Sequence, residues 1–249
     1  MADGRRALVT GASRGIGCAI AQRLAADGYR VGLHYRSDAG LAQRVLDSLP
    51  GEGHLLARAD LRDPEAARGL VDGIATHWDG LDVLVNNAGI FEAHPIDETD
   101  FEEWQRRWTE AIAVNLVGPA NVTWAAVRHM GPESSIVNVG SRGAFRGEPS
   151  CPAYGATKAA IAAFGQSLAK DLGRRGIAVT TVAPGFVDTD MAAEAMMGEG
   201  GAIRRAESPF GRIAEPEEIA AAVAFLASPE SAWMSGSILD ANGASYLRM

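Results

Sequence analysis

Short apolar runs alternate with longer amphipathic stretches along the whole chain of 249 residues. The short runs are rich in β-branched residues and predict strands, whereas the longer stretches have the hydrophobic period of helices. The predicted strands are 6–10, 30–35, 54–59, 81–86, 135–141, 178–183 and 237–240. The predicted helices are 15–27, 38–49, 64–78, 99–129, 153–173 and 215–227. Such alternation predicts an α/β fold of the Rossmann type: a doubly wound parallel sheet of seven strands with helices on both faces.

No repeat, low-complexity tract or linker divides the chain, and its length suits one large α/β domain. We therefore predict a single domain over residues 1–249. The least regular part is 186–212, which is rich in glycine. A long glycine-rich segment beside the carboxyl edge of a sheet is typical of a lid, so we predict a substrate lid at about 186–212. The alternative is a surface loop without a role.

Composition and charge narrow the class of protein. The hydrophobic fraction of 47% and the charged fraction of 22% are ordinary for a globular protein. The net charge of -8 opposes general affinity for nucleic acid, and no apolar stretch has the length of a membrane span. Two cysteines make no disulfide framework, and the five histidines lack metal-ligand spacing. We expect a cytoplasmic protein with no metal site, no nucleic-acid partner and no membrane partner.

A glycine-rich turn follows the first predicted strand directly. The segment Thr10-Gly11-Ala12-Ser13-Arg14-Gly15-Ile16-Gly17 leads into an amphipathic helix. Glycines permit a tight turn and let the backbone approach a pyrophosphate, whose charge the helix N-terminus then holds. The turn therefore predicts a dinucleotide site, with a purely structural turn as the alternative. Its predicted contacts are Gly11, Ser13, Arg14, Gly15, Ile16 and Gly17.

The end of the second predicted strand indicates which dinucleotide is bound. Proteins that bind NAD commonly place an acid there for the ribose 2′-hydroxyl, but this strand ends in His34-Tyr35-Arg36-Ser37. Arg36, together with Arg14 in the glycine turn, can form a cationic clamp for a 2′-phosphate. We expect NADP(H) to be preferred, with NAD(H) as the alternative cofactor.

Three polar residues form a predicted proton-transfer site. Tyr154 and Lys158 are four residues apart on a predicted helix, so they share a face, and Ser141 ends an apolar run thirteen residues before Tyr154. A nearby ammonium group favours a phenolate and lowers the pKa of a tyrosine from its usual value of ~10. We expect Tyr154 to exchange a proton with a substrate oxygen that Ser141 holds. The alternative is a buried ring beside a solvated lysine.

The chain resembles the short-chain dehydrogenases/reductases over essentially its whole length. The turn at 10–17 matches the Thr-Gly-x-x-x-Gly-x-Gly motif of that family, and 86–89 matches its Asn-Asn-Ala-Gly motif. The positions that match the catalytic tetrad of the family are Asn115, Ser141, Tyr154 and Lys158. The other positions that match its cofactor contacts are Asp60, Leu61, Asn87, Ala88, Gly89, Pro184, Gly185, Val187 and Thr189.

The resemblance implies a role for each member of the tetrad. Tyr154 is the acid-base residue, and Ser141 positions and polarises the substrate oxygen. Lys158 lowers the pKa of the tyrosine and binds the ribose hydroxyls of the nicotinamide nucleotide. Asn115 anchors, through the backbone of its helix, a water that relays protons to Lys158.

Within the family, segments 183–191 and 235–244 are most similar to the 3-oxoacyl-thioester (acyl-carrier-protein) reductases. The resemblance implies an NADPH-dependent carbonyl reductase that transfers hydride between NADP(H) and a ketone or secondary alcohol. The expected substrate is a 3-oxoacyl thioester, possible partners include acyl carrier protein, and the expected assembly is a homo-tetramer. Two alternatives stay open: an NADP-linked alcohol, sugar or steroid dehydrogenase, and a non-catalytic regulator that senses a dinucleotide.

Two stretches depart from the common pattern of the family. Arg142 and Arg146 flank an aromatic residue beside the catalytic serine, where they either select an anionic or bulky substrate or face solvent. His94 lies in a loop after the fourth predicted strand, where it either lines the substrate cleft or is a solvated loop histidine. We expect the second arrangement for His94.

Overall fold

The structure, a computed structural model, describes residues 4–193 and 197–248. Its centre is a seven-stranded sheet in the order β3-β2-β1-β4-β5-β6-β7, and all neighbouring strands are parallel. The strands are β1 (Arg6–Val9), β2 (Arg30–Tyr35), β3 (Leu55–Arg58), β4 (Val83–Asn86), β5 (Ser135–Val139), β6 (Ala178–Pro184) and β7 (Ile238–Ala241). The predicted Rossmann-type fold is confirmed. Residues 1–3, 194–196 and 249 of the predicted domain lie outside the described residues.

The helices begin where the sequence supplies N-terminal signals. Asp38 accepts a hydrogen bond from the Leu41 backbone, and Asp63 accepts hydrogen bonds from the first turn of a helix that starts with Pro64. The helices are α1 (Gly15–Ala26), α2 (Ala39–Ser48), α3 (Pro64–Trp78), α4 (Phe101–Ile112), α5 (Gly118–Ala126), α6 (Gly143–Arg146), α7 (Pro152–Leu172), α8 (Asp190–Ala193), α9 (Gly198–Ala206) and α10 (Pro216–Ala227).

Alternating strand residues divide the core between the two faces of the sheet. Val9 on β1 packs with α1 and α10 in one buried cluster, whereas its neighbour Leu8 packs with α3 and α5 in another. Successive side chains of a strand point to opposite faces, so a sheet buried on both sides needs apolar residues at every position. The continuous apolar runs of the sequence meet that requirement.

The predicted single helix over 99–129 differs from the structure. Here α4 and α5 are joined by a π-helical turn, Ala113–Val117, and α5 ends at Ala126. A π-turn adds a residue to the helical repeat and frees backbone groups for other partners. The hydrophobic period does not detect such a local insertion. Asn115, a predicted tetrad member, lies inside this turn.

The segment predicted to be a lid contains more regular structure than its glycines indicate. It includes the short helices α8 and α9, and its residues 194–196 lie outside the described part of the chain. No helix in residues 4–193 or 197–248 is both long and apolar enough to span a membrane.

Candidate active site

A cleft of about 460 Å³ opens at the carboxyl ends of the strands. It lies where the strand order reverses between β1 and β4, the position at which open α/β sheets bind ligands. All of the predicted cofactor-binding positions line it, and so do Ser141, Tyr154 and Lys158. Asn115 is buried next to the cleft wall, with its Oδ1 atom 3.2 Å from the position of a Cβ on Gly89. The structure therefore brings the predicted residues together along a single cleft.

The glycine turn is held by His34, a residue to which the sequence motifs assign no role. Gly11 adopts a φ of +63° and its backbone N–H donates to His34 Nδ1 at 3.0 Å. The other ring nitrogen, Nε2, donates to the carbonyl of Ala59 at 3.1 Å. Burial lowers the pKa of His34, which favours the neutral ring that this arrangement requires. The signal available in the sequence is a histidine inside an otherwise apolar strand.

The Asn-Asn-Ala-Gly segment braces the same turn from β4. Thr10 Oγ1 accepts hydrogen bonds from the backbone N–H groups of Asn87 and Ala88, both at 3.0 Å. The Asn87 side chain donates to the carbonyls of Thr10 at 2.9 Å and Gly11 at 3.1 Å. These contacts fix the backbone that is predicted to face the pyrophosphate.

Gly17 has no room for a side chain. A Cβ there would lie 2.3 Å from the Gly11 carbonyl oxygen and 2.4 Å from Asn87 Nδ2. We expect Gly17→Ala to lower the free energy of unfolding by about 1–3 kcal/mol and to weaken dinucleotide binding, because the turn must move. Thermal unfolding and NADPH fluorescence titration measure both effects. Gly73→Ala on α3 is the control, because its Cβ would meet nothing within 4 Å and should be neutral or stabilising. Equal behaviour of the two variants would contradict the prediction.

Two arginines line the end of the cleft that is predicted to hold the adenosine of a dinucleotide. Arg14 precedes α1 and Arg36 follows β2, and both line the cleft as the sequence predicts. Arg58, at the end of β3, donates from Nε to the Arg36 carbonyl at 3.1 Å and so places a further cation beside the Arg36 backbone. Asp60, predicted to contact adenine, is paired with Arg62 at 2.5 Å. The hydrogen bond from Arg62 lowers the pKa of Asp60 to about 2, so this carboxyl group is ionised at neutral pH.

Ser141, Tyr154 and Lys158 converge at the other end. Ser141 Oγ accepts a hydrogen bond from the Gly143 backbone at 3.0 Å. Lys158 Nζ donates to the carbonyl of Val139 at 2.7 Å and lies 5.6 Å from the centre of the Tyr154 ring. Thr157 accepts a hydrogen bond from Asn115 at 3.2 Å, and the other side-chain contacts of Asn115 go to the backbone of Ile90. The four residues of the predicted tetrad are thus linked through α7 and the loop after β4.

The ionisation of Tyr154 differs from the expectation. Burial raises the pKa of Tyr154 to about 12, and the hydrogen bond with Ser141 opposes this rise only in part. Burial also lowers the pKa of Lys158 to about 8. The two shifts have one cause, because the phenolate and the ammonium group are both disfavoured away from water. The Lys158 ammonium group contacts a carbonyl rather than the phenol oxygen. Tyr154 is therefore a phenol at neutral pH and can donate a proton.

Arg142 and Arg146 neither face solvent freely nor offer an unpaired charge to a substrate. Arg142 is buried and pairs with Glu207, which follows α9, and it lies over the Phe186 ring at 5.0 Å. Arg146 is 3.5 Å from both Glu207 and Glu148. Two positive and two negative side chains therefore balance one another, and they tie the segment after Ser141 to the predicted lid.

Apolar side chains line the cleft near Tyr154, where a substrate is predicted to bind. Phe91 packs edge-on against the Tyr154 ring at a centroid distance of 4.9 Å, and Phe186 and Met191 line the same cleft. Glu148 adds a carboxyl group to the cleft wall, where its side chain packs over Gly143. The sequence assigns no individual role to these residues, because they come together only through the fold.

The expectation that His94 is a solvated loop histidine is wrong. It is buried rather than solvated, and it is absent from the residues that line the cleft.

As for metals, no group of three or more His, Cys, Asp or Glu residues within the described part of the chain is placed to hold an ion.

A Rossmann-type sheet with a glycine turn at its reversal and this set of polar residues defines a nucleotide-dependent oxidoreductase. The chain belongs to the short-chain dehydrogenase/reductase family. A family profile described as enoyl-(acyl carrier protein) reductase matches residues 11–243. The chain is 39% identical to the 3-oxoacyl-(acyl-carrier-protein) reductase FabG of Vibrio cholerae, and the alignment covers 98% of both chains.

Solved structures agree with this assignment. A dehydrogenase/reductase from Sinorhizobium meliloti is 38% identical, with a TM-score of 0.91 over 98% of this chain and 96% of that one. A short-chain dehydrogenase from Burkholderia cenocepacia in complex with NADP is 40% identical, with a TM-score of 0.89 over 98% of both chains. The family predicted from the sequence motifs is confirmed.

Proposed function

We propose that this oxidoreductase is an NADPH-dependent carbonyl reductase that acts on a 3-oxoacyl thioester. The observation that carries the proposal is the arrangement of one cleft, with arginines at one end and a protonated tyrosine beside a serine at the other. A dinucleotide that spans this cleft brings its nicotinamide to Tyr154 and its 2′-phosphate to Arg14 and Arg36. The NADP complex of the Burkholderia relative supports the choice of cofactor.

The residues present fit such a cofactor. Gly11 and Gly15 have φ values of +63° and +54°, which side chains rarely adopt, and Gly17 excludes a Cβ, so backbone can approach a pyrophosphate closely. Pro184, Gly185, Val187 and Thr189 would hold the nicotinamide carboxamide. Thr189 packs near Gly15, since a Cβ there would lie 3.1 Å from its methyl group. The bound nicotinamide supplies the hydride, and the chain supplies orientation and protons.

The proton chemistry suits carbonyl reduction. Ser141 would hold the carbonyl oxygen, and Tyr154 would donate its proton as negative charge develops on that oxygen. A phenol with a pKa of about 12 stays protonated through neutral pH and so remains a donor. Lys158, anchored on the Val139 carbonyl, would bind the ribose hydroxyls. Asn115 would anchor, through the backbone of the π-helical turn, a water that relays protons to Lys158.

The side chains around the predicted position of the reacting carbonyl favour a substrate that is uncharged there. Its arginines near Ser141 are paired with glutamates, while Phe91, Phe186 and Met191 offer apolar surface to an acyl chain. The Vibrio relative is named for the same reaction on acyl-carrier-protein thioesters. Together these observations favour a 3-oxoacyl thioester over an anionic ketone.

The test is NADPH oxidation by the purified protein with acetoacetyl-coenzyme A, beside a panel of diketones, keto sugars and steroids. We expect a kcat/KM for the thioester at least tenfold above that of any other carbonyl. Turnover confined to another carbonyl would overturn the substrate and keep the chemistry. NADPH binding without turnover on any compound would overturn the catalytic proposal and favour a dinucleotide sensor.

We also propose a homo-tetramer. Phe101, Ile112, Val117 and Trp124 on α4, the π-helical turn and α5 are 76%, 39%, 43% and 53% exposed, which is unusual for apolar side chains grouped along one helical stretch. Light scattering after gel filtration measures the assembly, and a monomeric mass would contradict this proposal.

Glu148 should influence the pH range of the reaction. Its negative charge adds to the burial that raises the pKa of Tyr154, so Glu148→Gln should lower that pKa. Oxidation of an alcohol needs the Tyr154 phenolate. The rate of alcohol oxidation by the variant should therefore reach its plateau at a pH up to about one unit below that of the wild type. Glu52→Gln, on an exposed loop, is the control. Superimposable profiles of kcat/KM against pH would contradict the prediction.

A further inference from the structure

His94 lies in the loop after β4 and is only 3% exposed. Its backbone N–H donates to the Ser150 carbonyl at 2.8 Å, and its ring packs edge-on against Trp104 at 5.6 Å. Both ring nitrogens have partners: Nδ1 lies 2.8 Å from the Glu92 carbonyl, and Nε2 lies 3.2 Å from the Ala153 backbone nitrogen. A buried loop histidine whose two ring nitrogens and backbone N–H all have partners is a fixed structural element rather than a solvated side chain.

The partners determine which nitrogen carries the proton. The Ala153 nitrogen can only donate, so Nε2 accepts with its lone pair, and the Glu92 carbonyl can only accept, so Nδ1 donates. The ring is therefore neutral and held in one tautomer. A protonated ring would have no lone pair for Ala153 and would place a positive charge at the positive end of a helix dipole.

Ala153 belongs to the first turn of α7, the helix that carries Tyr154 and Lys158. This turn has no local side-chain cap, because Cys151 makes no capping hydrogen bond and Pro152 has no N–H. His94 supplies the missing acceptor from a distant part of the chain. Buried helix-terminal N–H groups without an acceptor are costly, so the contact ties the start of α7 to the loop after β4.

The same loop contacts the tetrad at two further points. The backbone of Ile90 exchanges hydrogen bonds with the Asn115 side chain, at 2.8 and 3.0 Å, and the Phe91 ring packs against the Tyr154 ring. The loop is thus attached to the active site near its start through Ile90 and Phe91, and further along the chain through His94.

We propose that His94 is a positioning residue that caps α7 from the loop after β4 and holds the Tyr154 hydroxyl in register with Ser141 and the substrate carbonyl. The inference rests on the proposed function, because displacement of the Tyr154 hydroxyl would lower the rate of the proton transfer proposed for it. It assigns no direct contact between His94 and either substrate or cofactor.

Two variants separate this role from simple packing. His94→Leu keeps the bulk but removes the acceptor, whereas His94→Gln places an amide oxygen near the position of Nε2 and can still accept from Ala153. For the leucine variant we expect a fall in kcat of about tenfold, with the NADPH dissociation constant from fluorescence titration changed less than twofold. The glutamine variant should recover most of the lost kcat. Equal losses in both variants, or wild-type kcat in a folded leucine variant, would overturn the proposal.

Measurements without turnover keep the inference testable if the proposed reaction or the fold of the leucine variant fails. Nitrogen-15 NMR of the wild-type protein should show His94 with a protonated Nδ1 and an unprotonated Nε2. Hydrogen exchange should show the Ala153 amide protected in the wild type and in His94→Gln. Loss of that protection in His94→Gln, or the opposite tautomer, would overturn the cap whatever the substrate is.

Discussion

Tyr154→Phe is expected to lower kcat for carbonyl reduction by about 10²–10⁴-fold, the range that a positioned general acid contributes. The substitution removes one oxygen atom and keeps the ring that packs against Phe91. Ser141, whose hydroxyl accepts from the Gly143 backbone, would still hold the carbonyl, but the phenol that donates the proton would be lost. The measurement is single-turnover NADPH oxidation with the thioester at saturating cofactor.

Cofactor binding distinguishes a chemical effect from a general one. The NADPH dissociation constant of Tyr154→Phe should stay within a few-fold of wild type, because the glycine turn and the arginine pair are untouched. Tyr29→Phe is the matched control, since Tyr29 lies beside Arg5 and outside the cleft. Wild-type turnover in Tyr154→Phe would remove this residue from the mechanism and assign the proton donation to another group.

The parts of this molecule that follow local rules were predictable. Strand β1 and the turn after it are recognisable because an apolar run, closely spaced glycines and a helix follow one another in the chain. Tyr154 and Lys158 are recognisable because four residues make one helical turn. The family motifs then predicted that Ser141 and Asn115 belong to one site, and the structure has Ser141 in the cleft and Asn115 buried beside its wall, although the two lie far apart in sequence.

The parts that depend on distant contacts were not predictable. Arg142 is neutralised by Glu207, which is 65 residues away, and no sequence pattern links the two. Lys158 sits on the helix face that the spacing predicts, yet the fold directs its ammonium group to the Val139 carbonyl. Burial then decides the pKa of Tyr154 in the opposite direction from the expected effect of the lysine. Spacing therefore predicts which groups are neighbours, while their ionisation depends on the depth of the cleft.

The second large effect concerns the choice of cofactor. Each charge-assisted hydrogen bond to a phosphate contributes about 1.5–3 kcal/mol, or roughly one to two powers of ten in affinity. We expect the double variant Arg14→Ala, Arg36→Ala to reduce kcat/KM for NADPH by about 10²-fold or more, with kcat/KM for NADH changed only a few-fold. The 2′-phosphate is the sole difference between the cofactors, so the ratio of the two values isolates the arginine contribution.

Binding of fragments tests the clamp without catalysis. Calorimetric titration should show that wild-type protein prefers 2′,5′-ADP to 5′-AMP, and that the double variant binds both with similar affinity. Arg23→Ala is the control, because Arg23 lies at the other end of α1 and pairs with Asp27 on the surface. Single variants should each account for part of the loss, since the two guanidinium groups approach the phosphate from different elements. A preference for NADPH that survives the double substitution would assign the phosphate to Arg58, whose guanidinium group stands beside the Arg36 backbone and would then be the dominant cation of the site.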